Sequence, residues 1–260
     1  MSYDACIGLI EVALLIAMPL AAEAGFRAGL RRRARADDAL SQVSVVQVAT
    51  FGILGLLVAF AISMAEARFS ARRDLILAEA NAIGTTYLRS KYLLDPHPAE
   101  LAPLFRRYVD ARVAFYAARA DVAAARREVE IAEQLQRDIW GHAVAVVRAD
   151  PEHGDTVAAF VESLNEMIDL ENTRVAVITM HVPASVLALI VLVALFGCAT
   201  TGFEGGLEGR RVWLALIALP LLVALAICVV LDLDSPRLGV ITTGQFPMTQ
   251  LQQSLEDEDR

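Results

Sequence analysis

The sequence predicts an all-α membrane protein, with four transmembrane helices and a long helical domain between spans two and three. Three observations carry this expectation. The 260 residues are 56% hydrophobic and only 21% charged, with a mean hydropathy of +0.49, too apolar for an ordinary soluble domain. Four stretches, roughly residues 5–24, 43–65, 183–203 and 212–231, reach the roughly 20 helical residues that a hydrocarbon core requires. The stretch between the second and third is rich in Ala, Arg, Glu, Leu and Val and lacks strand-like alternation.

The expected organisation is a first transmembrane hairpin over 1–65, an extramembrane helical domain over 66–181, a second hairpin over 182–235 and a C-terminal tail over 236–260. The first span lacks the positive n-region of a signal peptide and contains Asp4, so it is read as a retained helix. Pro19 and Pro220 lie within the first and last spans, where kinks are expected, and Pro183 stands near the start of the third. In the middle domain the breaks "DPHP" and "DPEHGD" predict three long helices. Glu133 and Arg137, four residues apart in the favourable order, support the middle one. The closing "LEDEDR" carries much of the net charge of −8 and reads as a solvated tail.

The arginines set an expected orientation. Arg27, Arg31, Arg32, Arg33 and Arg35 crowd the first short loop and Arg210 and Arg211 the other, against Arg68, Arg72, Arg73, Arg174 and Arg237 on the opposite side. Under the positive-inside rule the short loops face the cytoplasm and the helical domain lies outside.

Asp232 and Asp234 follow directly on the fourth apolar run, where a helix ends and its carbonyls disfavour acids. Positive partners are therefore expected nearby. Spans two and four run in the same direction, which brings Arg68, Arg72 and Arg73 within reach, with Arg237 as a local alternative. These residues, with Glu79 and Asn81, form either an interfacial polar network or a cation-attracting vestibule.

The second span carries a stripe of small residues, Ala49, Gly52, Gly55, Ala59 and Ser63. Such a stripe serves either close helix packing or a pore lining. Phe51 and Phe60 are candidate hydrophobic constrictions, and Gln47, Thr50 and Ser63 candidate polar lining. Glu11 is an acid within the first span, with either a structural or an ion-pathway role.

Asn81 and Thr85 share a helix face, and Arg106, Arg107, Asp110 and Arg112 surround Tyr108, patterns of polar stitching between helices. Cys6, Cys198 and Cys228 lie apart in apolar segments and suggest neither a disulfide framework nor a thiolate cluster. His97, His142, His153 and His181 lack a metal-ligand spacing, and no nucleophile elbow or phosphate loop is present. No enzyme activity, metal, cofactor or nucleic-acid partner is expected.

The segments "FGILGLLVAFAISMAEARFSARRDLILAEANAIGTTYLR", "LFRRYVDARVAFY" and "LDLDSPRLG", in this order, resemble the bacterial bestrophin-like domain family over most of residues 45–250. The resemblance implies four spans with a helical domain between the second and third, in a bacterial inner membrane. Against true bestrophins, which are pentameric anion channels, the second span shows no match to their aromatic neck, and an acidic exit lining a path would favour cations. The function expected is an oligomeric ion-conducting or ion-regulated assembly, a homo-oligomer in the lipid bilayer handling inorganic ions. The alternative is a membrane-anchored helical scaffold or sensor that binds a protein partner without conducting.

Overall fold

A computed structural model of the chain describes residues 3–33, 39–118, 121–149, 153–178, 180–211, 213–235 and 241–258. Among the described residues all regular structure is helical: α1 (Tyr3–Arg32), α2 (Ala39–Ser90), α3 (His97–Ala117), α4 (Val122–Ala149), α5 (Gly154–Ile178), α6 (Ala184–Glu208), α7 (Leu219–Asp234) and α8 (Phe246–Asp257). A π-helical segment, Leu214–Ala218, leads into α7. Four helices are long and apolar enough to cross a membrane, in α1, α2, α6 and α7. The expected fold class holds.

The chain divides into two compact units, one of Met1–Arg68 with His181–Ile241, the other of Phe69–Met180 with Thr242–Arg260. The first unit contains α1, the first part of α2, α6 and α7. Its outward side chains are large and apolar, Leu9, Leu20, Leu192 and Leu222 among them, as suits a surface solvated by lipid tails. Association of helices in lipid relies on close packing rather than on hydrophobic burial. Here α1 and α6 supply it. A Cβ on Gly25 would lie 1.9 Å from the Ala199 carbonyl oxygen, one on Gly29 2.1 Å from that of Phe203, one on Gly202 1.8 Å from that of Ala22, and one on Gly206 2.2 Å from that of Phe26. Partners advance together along both helices, so α1 and α6 run parallel. Gly25–Gly29 and Gly202–Gly206 are two small-xxx-small pairs meeting face to face.

Pro220 lacks the N–H that would continue the helical ladder, and the turn before it is π-helical over Leu214–Ala218. The helix thus adjusts its hydrogen-bond period where a kink was expected. Gly209 ends α6 at φ 69°, and the Arg210 N–H donates to the Gly205 carbonyl at 3.1 Å, a left-handed cap that favours glycine.

The second unit is built on a core from five helices. Ile83 and Tyr87 of α2, Leu101, Phe105 and Tyr108 of α3, Leu135 and Ile139 of α4, Phe160 and Leu164 of α5, and Met248 and Leu255 of α8 are all buried in one cluster. Each such side chain contributes about 1.5–3 kcal/mol relative to exposure.

Two expectations need correction here. The middle helix is two helices, α3 and α4, because the Asp121 carboxylate accepts the Ala124 N–H at 2.9 Å and starts a new helix. The stretch expected to be a C-terminal tail, 236–260, contains α8, whose Met248 and Leu255 are buried in the core, while Glu256, Asp257 and Glu258 of "LEDEDR" are exposed and Glu258 pairs with Lys91.

Candidate functional site

Three groups of residues position the chemistry, and the first lies along α2. Its inward face in the first unit carries Thr50, Leu54, Ala61 and Ala65, all buried. Gln47 donates to the Thr201 hydroxyl at 2.8 Å, and the Phe51 ring stands 3.3 Å from where a Cβ on Gly197 would sit. The opposite face carries Ala49, Gly52, Gly55, Ala59, Phe60 and Ser63, all exposed. A Cβ on Gly52 or Gly55 would meet nothing within 4 Å, so the small-residue stripe packs against no described side chain of the chain itself. Phe51 and Phe60 are nine residues apart, about half a turn in net rotation at roughly 100° per residue. They therefore face opposite sides of the helix, Phe51 half-buried towards α6 and Phe60 61% exposed.

The second group is the acidic exit of α7. Asp234 is fully buried. Both its carboxylate oxygens accept the Val182 N–H, at 3.1 and 3.0 Å. Arg68 Nη1 stands 3.8 Å from one oxygen and His181 Nδ1 3.4 Å from the other. Asp232 accepts the Ile241 N–H at 2.8 Å. Two acids at a helix end thus serve as acceptors for backbone N–H groups leading into α6 and returning after α7, which offsets their unfavourable position. Arg237 lies outside the described residues. Half-buried Glu11 sits on α1.

The third group is buried in the second unit. Arg72 donates to the Met180 carbonyl at 2.7 Å, whereas Arg73 and Asn81 are exposed. Glu79 is fully buried and forms ion pairs with Arg112, at 2.6 Å, and with Arg174. Arg112 reaches Glu171 at 2.8 Å. Gln136 donates to the Tyr108 hydroxyl at 3.0 Å, and Arg174 donates to Tyr116 Oη at 3.0 Å and Gln245 Oε1 at 2.7 Å. Two carboxylates face two guanidiniums, so the cluster is neutral by pairing, the condition under which buried charge is tolerated.

The electrostatics follow from that pairing. Burial opposes the Arg112 charge, but Glu79, Tyr108 and Glu171 more than offset it and hold the guanidinium protonated. Burial pushes the Glu171 carboxyl above its ordinary range, against the pull of Arg112. Burial likewise raises the Tyr108 phenol, with Arg112 opposing. Glu79, read from the sequence as a network or vestibule acid, is enclosed in this cluster.

With this geometry in place, the chain can be set beside known proteins. The family described as "Bestrophin-like domain" matches residues 13–247. The chain belongs to the bestrophin-like domain family. Solved structures share the fold of this bestrophin-like protein. A mutant form of a bacterial bestrophin homologue from Klebsiella pneumoniae is 14% identical, with a TM-score of 0.65 over 96% of this chain and 98% of that one. Another mutant of a bestrophin homologue from that organism gives 14% identity and a TM-score of 0.64 over 96% of each chain. A crystal structure described as a membrane protein gives 14% identity and 0.64 over 95% of this chain and 97% of that one. No curated protein matches. The bestrophin-like protein is thus a membrane protein with the architecture of those homologues.

Several residues escaped the sequence reading. The α1–α6 glycines were legible as "GFRAG" and "GFEGG" near the ends of two spans. Glu171 is not singled out by the sequence, and Arg174 reads there only as an arginine near a span; they stand at i and i+3 on α5, and the fold buries both. His97, Glu100 and His142 converge although the histidines seemed scattered in the chain.

Proposed function

We propose that the bestrophin-like protein forms a homo-oligomer in the bacterial inner membrane that conducts inorganic ions along the exposed face of α2. The observation that carries this reading is the stripe of Gly52, Gly55, Ala59 and Ser63 with Phe60 beside it. It is small and exposed, and among the described residues nothing packs at the Cβ positions of Gly52 and Gly55, while α1 and α6 meet their own packing needs through Gly25, Gly29, Gly202 and Gly206. Small residues with one aromatic neighbour suit a narrow path with a hydrophobic constriction. The family and the fold of its solved relatives support it.

In this reading Phe60 is the constriction, and Phe51 packs the helix in place. Asp232 and Asp234 form a clasp with Arg68, His181 and the Val182 N–H rather than a selectivity ring, and Glu79, Arg112, Glu171 and Arg174 hold the helical domain of residues 66–181 together. Glu11 serves the packing of α1. The arginine-rich short loops favour the cytoplasmic side, which puts the helical domain outside.

The test is the particle mass of the purified protein followed by ion flux after reconstitution into liposomes. A defined multimer that conducts, with flux changed by Phe60→Ala and blocked by Gly55→Leu at unchanged mass, is the expected result. A monomer without flux overturns the reading and favours a scaffold that binds a protein partner.

A further inference from the structure

In the second unit, the start of α3 and the later half of α4 bring together three side chains that take no part in the buried charge cluster. His97 and Glu100 stand at i and i+3 in the first turn of α3, on one face of the helix. His142 comes from α4. The Nδ1 atoms of His97 and His142 are 3.3 Å apart, and His142 Nδ1 is 3.5 Å from Glu100 Oε2. One ligand atom from each residue lies within 4.8 Å of the other two.

We infer that His97, Glu100 and His142 form a binding site for a divalent transition-metal ion of the Zn(II) class, tying the start of α3 to α4. Zinc bonds imidazole nitrogen and carboxylate oxygen at about 2.0–2.2 Å in a tetrahedron, so two donors on one ion stand roughly 3.3 Å apart. The His97–His142 and His142–Glu100 separations match that edge. The two rings meet edge to face at 82°, with the Nδ1 atom of each at the point of closest approach. Two histidines and one carboxylate are a donor set that zinc accepts while keeping a fourth position for water or an exogenous ligand. Glu100 is half-exposed and His142 about a quarter exposed on their side chains, which gives the ion a route from solvent. Softer imidazole ligands select Zn, Ni or Cu over Mg or Ca. The site is independent of the ion path on α2.

The experiment uses the untagged full-length protein, stripped with chelator in detergent, with Zn(II) titrated in competition with a chromophoric chelator and thermal unfolding followed in parallel. The expected result is one Zn(II) per chain, a melting point raised by about 5 °C at a hundredfold excess over Kd, and no response to Mg(II). His142→Ala and Glu100→Gln should each weaken binding at least about tenfold, and His153→Ala, outside the site, should leave it unchanged. Exposed Glu100 makes Glu100→Gln informative even where a histidine variant folds poorly. Wild-type protein that takes up no Zn(II), or uptake unaltered in both His142→Ala and Glu100→Gln, overturns the inference.

Discussion

Gly202 of α6 and Ala22 of α1 approach so closely that a Cβ on Gly202 would lie 1.8 Å from the Ala22 carbonyl oxygen. The obstacle is backbone, which no change of rotamer relieves. Gly202→Val should therefore force the two helices apart and cost at least about 3 kcal/mol. Gly141, exposed in the interior of α4 with nothing near its Cβ position, is the control: Gly141→Ala should stabilise by about 0.5–1 kcal/mol. Thermal unfolding in detergent distinguishes the two, and equal melting points would refute the close-packing account.

The two phenylalanines of α2 separate packing from passage. Phe51→Ala removes a ring seated against Gly197 and should destabilise the protein by about 3 kcal/mol. Phe60→Ala should leave the melting point within about 0.5 kcal/mol equivalent, because the side chain is exposed, while altering flux. A melting point lowered equally by both would count against the assignment of opposite faces.

Arg112 neutralises Glu79 and Glu171 where water does not reach. Arg112→Met should cost about 3–5 kcal/mol by leaving the buried Glu171 carboxylate without its cation, while Glu79 keeps Arg174. Restoring most of that loss by adding Glu171→Gln to Arg112→Met, read by denaturant unfolding, is the expected signature of coupling.

Glu171 also predicts a pH dependence. The unfolded carboxyl titrates near 4.5, whereas burial raises the folded value. Between the two the native state binds more protons than the unfolded chain, so this group's contribution to stability falls as pH rises through that window and is constant above it. Glu171→Gln should flatten the slope of melting temperature against pH just above 4.5. An unchanged slope would assign the effect elsewhere.

Burial of Met248 on α8 makes the last helix part of the core. Met248→Ala should cost about 2–4 kcal/mol, a loss visible in the melting point, whereas an indifferent melting point would mean that α8 merely rests on the surface.

The spans were legible because about 20 apolar residues have few other uses, and the separation of α2 from α3 and of α4 from α5 because "DPHP" and "DPEHGD" carry prolines, which interrupt a helix. The α3–α4 break was hidden among good helix formers, with Asp121 as its sole cap signal. In α8 the acidic closing residues masked Met248, Leu251 and Leu255, whose spacing of three and four is that of a helix face. Of the candidate site, the small-residue stripe of α2 and the need of Asp232 and Asp234 for nearby partners could be read, because small residues and helix-end acids are unusual where they stand. The partners of Glu79 and the meeting of His97 with His142 could not, since each joins residues more than thirty positions apart. Such pairings depend on which helices become neighbours.

The second unit takes its last helix from residues that follow the fourth span, with Met248 and Leu255 filling its core. During synthesis this core cannot close until α7 has emerged from the ribosome and α8 after it. A chain stalled or truncated before α8 leaves apolar surface of α2 and α3 uncovered, a mark by which proteases can tell unfinished copies from finished ones.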